Sequence, residues 1–101
     1  MYLVQILLPR ADNAGLPFPK QKFDEVKEEL ARTFEGVTSY LRAPAEGLWK
    51  QGEEKSHDDI VIFEVMIAEL DLGHWQDRRR ALERRFRQDQ VVIRYMTMSL
   101  V

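Results

Sequence analysis

The sequence predicts an α+β sandwich whose chain runs strand, helix, strand, strand, helix, strand. Two segments repeat apolar residues at spacings of three and four, which is the signature of a one-sided helix. Four others are short, apolar and rich in β-branched residues, which is the signature of strands. The two kinds alternate as two strand–helix units, so the fold class follows from their order.

The first strand is Met1–Leu8, with Tyr2, Val4, Ile6 and Leu8 on one face and Leu3, Gln5 and Leu7 on the other. Pro9 cannot donate to a ladder and should end it. Arg10 to Gly15 is polar and turn-forming, and Pro19 suits the start of a helix. Phe23, Val26, Leu30 and Phe34 then make the buried stripe, while Asp24, Glu25, Glu28 and Glu29 face solvent. Gly36 stands where a left-handed cap would close that helix. Val37 to Leu41 reads as the second strand, Arg42 to Gly47 as a loop, and Leu48-Trp49-Lys50 as a strand fragment before a turn. Ile60 to Ile67 is apolar on both faces except at Glu64, as expected of a central strand. Asp71 is a natural cap for a second helix reaching to about Gln88, with Leu72, Trp75, Leu82 and Phe86 as its stripe. Val91 to Val101 is the last strand.

This order favours a ferredoxin-like βαββαβ sandwich: a four-stranded antiparallel sheet with both helices on one face. Right-handed crossovers place the strands in the spatial order fourth, first, third, second. The 101 residues form a single ferredoxin-like domain, residues 1–101, able to hide roughly two-thirds of the unfolded surface. The absence of cysteine excludes disulfides, thiolate catalysis and cysteine-based metal or iron–sulfur sites. No apolar run approaches the ~20 residues of a membrane span. The opening segment lacks the basic start and cleavage site of an export signal, so the expectation is a cytoplasmic protein without a membrane partner.

Two helices cover only one side of such a sheet. The face bearing Val61, Phe63, Val65 and Ile67 is the expected helix-packed side. The other then collects Leu3, Leu7, Ile60, Ile62, Met66, Val92, Met96 and Met98. Left in water these would exceed the few hundred Å² of apolar patch usual for a monomer. A homodimer joined through the open sheet face is the simplest remedy. On that face Gln5, Glu64 and Arg94 break the pattern, one from each of three adjacent strands. A carboxylate and a guanidinium withdrawn from water must pair, and Gln5 can bridge them. The bland reading is a cluster that fixes register or dimer geometry; the sharper one is a ligand pocket.

Six arginines lie between Arg78 and Arg87, and residues 76–101 carry seven basic and three acidic side chains against the chain's net charge of −2. Arg80, Arg84 and Arg87 point away from the stripe, as on a solvated face. The mildly acidic chain and the lack of an aromatic platform argue against a nucleic-acid partner. Arg79 falls within the stripe, so either its stem packs while its head snorkels, or its head pairs with an acid such as Glu64 or Glu69 or binds an anion. His57-Asp58-Asp59 and His74 form no metal motif, and the expectation is no metal and no cofactor. A surface position is the expectation for His74. Trp49 either plugs the end of the core or walls a pocket.

At several of these positions the chain resembles a bacterial family of small proteins, about 100 residues long, of unknown function. The shared features are Phe34, Gly36-Val37-Thr38, Gly47-Leu48-Trp49, Glu54 with Ser56, Arg79, and Arg85-Phe86-Arg87-Gln88 before Val91. Leu82 stands where the family tends to an aromatic residue, the aromatic of the first helix is Phe23, and extra residues surround His57-Asp58. The resemblance implies no activity, but it draws Trp49, Arg79 and Gln88 together as positions to test.

The expected function is that of a non-catalytic module binding a ligand or a protein, with Gln5, Trp49, Glu64, Arg79 and Arg94 as its candidate binding residues. The alternative is a small enzyme of the dimeric αβ-barrel kind, a cofactor-light monooxygenase or isomerase with a pocket between sheet and helices. A third is RNA contact through the arginine-rich helix. No nucleophile elbow, phosphate-cradling loop or dinucleotide fingerprint is present.

Overall fold

The computed structural model describes residues 1–42 and 60–101. The elements are β1 (Tyr2–Pro9), α1 (Lys20–Thr33), β2 (Val37–Arg42), β3 (Ile60–Ile67), α2 (Leu72–Arg85) and β4 (Val92–Thr97). The expectations for Pro44, Gly47, Leu48, Trp49, Glu54, Ser56 and His57 to Asp59 lie outside the described residues.

All neighbouring strands are antiparallel and the spatial order is β2-β3-β1-β4. This is the expected ferredoxin-like order, read from the opposite edge. Each helix crossover leaves one strand position vacant, so β3 fits between β1 and β2, and β1 fits between β3 and β4. Side chains alternate along each strand, and the predicted inner face holds: Val4, Ile6 and Leu8 join Phe63, Val65 and Ile67 in one core. Val26 and Leu30 of α1, Trp75 and Leu82 of α2, and the flanking Phe18, Phe86 and Val91 close it. Phe86 meets Phe18 edge-on at 5.1 Å and Phe23 at 5.5 Å between ring centres, the arrangement aromatic quadrupoles favour.

The loop between β1 and α1 is folded by Asp12, whose Oδ1 accepts from the N–H groups of Ala14 and Leu16, each at 2.9 Å. That turn directs Phe18 into the core. Helix α2 starts as expected, with Asp71 Oδ1 accepting from the His74 N–H at 3.2 Å. It ends earlier than expected, at Arg85. Arg87 adopts φ +51°, Arg87 N–H donates to Arg84 C=O, and Gln88 N–H donates to Glu83 C=O at 2.9 Å. This is a Schellman closure with arginine at the left-handed position where glycine is usual.

Other boundaries also differ from expectation. Gly36 is left-handed, at φ +71°, but α1 has already ended at Thr33, with the Phe34 N–H bonded to Leu30 C=O. Gly36 therefore turns the chain into β2. Strand β4 begins at Val92 rather than Val91, because the Val91 N–H is taken by Glu83 Oε2 at 3.0 Å instead of a ladder partner. Leu72, expected in the buried stripe, is 49% exposed: it is the first residue of α2, and burial begins one turn later at Trp75.

Candidate functional site

The site is a polar row across the middle of the face without helices. Backbone register sets Thr38 opposite Glu64, Glu64 opposite Gln5, and Gln5 opposite Arg94. Apolar rows flank it on both sides: Met66, Leu3 and Met96 on one, Ile62, Leu7 and Val92 on the other.

Ladder geometry explains why the row is tightly joined. The Met98 N–H donates to Met1 C=O, and the β1–β4 register makes these two residues opposite one another. Hydrogen-bonded pairs alternate along an antiparallel ladder, so Gln5 and Arg94 form such a pair and the Gln5 backbone faces β4. Gln5 and Glu64 are then a non-hydrogen-bonded pair, in which side chains approach more closely. Gln5 Nε2 donates to Glu64 Oε2 at 2.6 Å, and Gln5 Oε1 accepts from Arg94 Nε at 2.7 Å. A carboxylate only accepts and a guanidinium only donates, so one amide orientation satisfies both. Glutamine, having both functions, is the residue that connects them. Gln5 itself is 8% exposed, Glu64 is half-buried and Arg94 exposed. The bridge inferred from sequence is therefore present, and it leaves two donor nitrogens of Arg94 without a partner among the described residues.

The apolar rows are less uniformly bare than the sequence suggests. Met66, Val92 and Met96 are 42%, 46% and 43% exposed. Ile62, however, is 1% exposed, and Leu3, Leu7, Ile60 and Met98 are half-buried. Strand position does not decide this, since Ile62 and Met66 share β3 and the same face and differ. The bare part of the face runs along β4 and the Met66 end of β3.

Arg79 does not belong to this site. It lies on α2, in the helix layer, and the sheet stands between it and Glu64 and Arg94. Its Nε is 3.8 Å from Glu83 Oε2, one helical turn away, and not beside Glu64 or Glu69. Gln88 donates to Phe86 C=O at 3.0 Å and so helps to finish the helix. The five candidate binding residues thus separate. Gln5, Glu64 and Arg94 converge, Arg79 is on the far side of the sheet, and Trp49 lies outside the described residues.

The arginine helix is largely neutralised from within. Arg80 pairs with Asp77 at 2.9 Å, Arg85 with Glu29 of α1 at 2.8 Å, and Arg87 approaches Asp12 at 4.0 Å. Arg78 lies 5.8 Å from the centre of the Trp75 ring. Its burial lowers the guanidinium pKa from the ordinary value, Glu29 opposes that shift, and Arg85 adds to it. His74 is half-buried rather than on the surface, edge-on to Phe34 and Trp75 at 5.7 and 5.1 Å.

Sequence reasoning missed Glu83, which holds both Arg79 and the Val91 N–H, and Lys22, whose Nζ donates to Arg85 C=O at 2.8 Å. The Arg79–Glu83 pair has the i,i+4 spacing of a helical ion pair. The Glu83–Val91 and Lys22–Arg85 contacts join a helix to a turn and to a distant element, and no local spacing signals them. Among the described residues, no helix is long and apolar enough to cross a membrane. The chain matches no family model, no curated protein and no solved structure.

Proposed function

We propose that this protein is a non-catalytic binding module that works as a homodimer joined through the open face of its sheet. The observation that carries the reading is the exposure of Met66, Val92 and Met96 on one face, around a polar row that is already internally paired. Large apolar side chains gathered on one exposed face mark an association surface, because covering them removes apolar area from water. The enzyme alternative needs titratable groups gathered between sheet and helices. There the core cluster is apolar, His74 and Arg78 reach it only at its edge against Trp75, and Glu64 and Arg94 face the other way. RNA contact is disfavoured by the acidic partners of the α2 arginines. Kinship with the small bacterial family belongs to the same proposal and rests on the motifs around Phe34, Arg79 and Phe86.

Sedimentation velocity at micromolar concentration tests this. Wild type should sediment as a dimer and Met96→Lys as a folded monomer. A monomeric wild type overturns the proposal.

A further inference from the structure

We infer that the Glu64–Gln5–Arg94 row is a self-complementary key that fixes how a second copy of the chain docks on the open face. The inference rests on the homodimer proposed above and adds its geometry. The row is an ordered sequence of charge across the sheet: negative on β3, neutral on β1, positive on β4. Two identical faces packed by a twofold axis can meet in two principal ways. With the axis at right angles to the strands, along the row, every row residue faces its own copy. Arg94 then stands over the partner's Arg94 and Glu64 over the partner's Glu64. With the axis along β1 and over Gln5, left and right exchange. Arg94 then faces the partner's Glu64, Glu64 faces the partner's Arg94, and the two glutamines meet at the centre.

Only the second arrangement pairs opposite charges, and it does so twice. It also keeps each apolar row on itself: Met66, Leu3 and Met96 meet Met96, Leu3 and Met66 of the second copy. Facing sheets pack about 10 Å apart, a gap that an arginine and a glutamate reaching toward each other can span. The donor nitrogens that Gln5 leaves uncommitted on Arg94 are the ones available for that contact. The apolar rows provide the affinity, and the charged row selects the orientation, since opposed like charges are costly while a buried pair adds little net stability.

Charge reversal followed by mixing tests the key. Glu64→Arg places arginine at both ends of the row, and Arg94→Glu places glutamate at both ends. Each variant alone should lose self-association by about 100-fold, because every pairing across the twofold axis becomes repulsive. Mixed in equal amounts, the two should form a heterodimer of near wild-type affinity, seen by native mass spectrometry. The double variant E64R/R94E should dimerise again, with the Gln5 amide turned over. A row that serves only its own protomer gives no heterodimer on mixing, and that result overturns the key. If wild type is a dimer and both reversals remain dimers, the key is also wrong while the dimer stands; if wild type is a monomer, both fall. Circular dichroism establishes folding of each variant. Should either fail to fold, Glu64→Gln and Arg94→Gln replace them, each expected to weaken association about tenfold, and unchanged association in both overturns the key.

Discussion

On β1 the two faces of the sheet alternate residue by residue, so the same backbone serves two different tasks. Val4, Ile6 and Leu8 are fully buried beneath the helices, where Leu30, Leu82 and Phe86 meet them. Leu3, Gln5 and Leu7 point the other way into a face where Met66, Val92 and Met96 are more than two-fifths exposed. One face is closed by packing alone. The other carries an amide, a carboxylate and a guanidinium in line, an arrangement whose proposed role is to orient a second copy. The helix-covered face therefore specifies the fold, and in the proposed dimer the open face specifies what the fold meets.

The largest effects should appear when that contrast is broken on the closed side. Phe86 has no exposed surface and touches Phe18 and Phe23, so Phe86→Ala should cost about 3–5 kcal/mol by urea denaturation. Met96→Ala on the open face should cost the protomer under about 1 kcal/mol, because a half-exposed side chain leaves no sealed cavity. Equal losses from the two would mean that the open face is packed as tightly as the core.

A smaller loss is expected within the polar row. Gln5→Leu keeps the volume and removes the amide, so Glu64 and Arg94 each lose a partner beside a buried position. Losing these two hydrogen bonds should cost roughly 1 kcal/mol, measured as a fall in the denaturation midpoint with an unchanged slope. A Gln5→Leu variant as stable as wild type would show that the row is solvated and contributes no structure.

How much of this contrast could be read in advance follows a physical line. The six elements, the strand order and the inner face were legible because periodicity and alternation report directly on which side chains are covered. So was the Gln5 bridge, because three polar residues interrupted three adjacent apolar strands. The partner of Arg79 was misassigned rather than hidden. Glu83 stands at the i,i+4 spacing of a helical ion pair, and only the separation of Arg79 from Glu64 by the sheet needed the packing. Nor could composition show that Ile62 is sheltered while Met66, four residues along the same strand and on the same face, is exposed. The end of α2 was missed for another reason. Arginine at a left-handed position contradicts local preference, and a rule of preference cannot foresee its own exception.

That exception supplies the smallest and sharpest test, one that touches the helix layer and leaves the open face alone. Holding Arg87 at φ +51° costs an L-residue roughly 1 kcal/mol, and glycine would be free of it. Glycine's greater freedom in the unfolded chain takes back about half of that gain. The Arg87 side chain is exposed and only 4.0 Å from Asp12, a contact whose loss should cost about 0.3 kcal/mol or less. Arg87→Gly should therefore stabilise the protomer by about 0.2–0.5 kcal/mol, a rise in Tm of about 1–4 °C. Arg87→Ala, which loses the same side chain but keeps the strained backbone, should show no gain. If the alanine variant gains as much as the glycine variant, the benefit comes from removing charge from an arginine-dense helix end and not from relieving the backbone. Association should be the same in both, because Arg87 closes the layer on the opposite side of the sheet from Gln5.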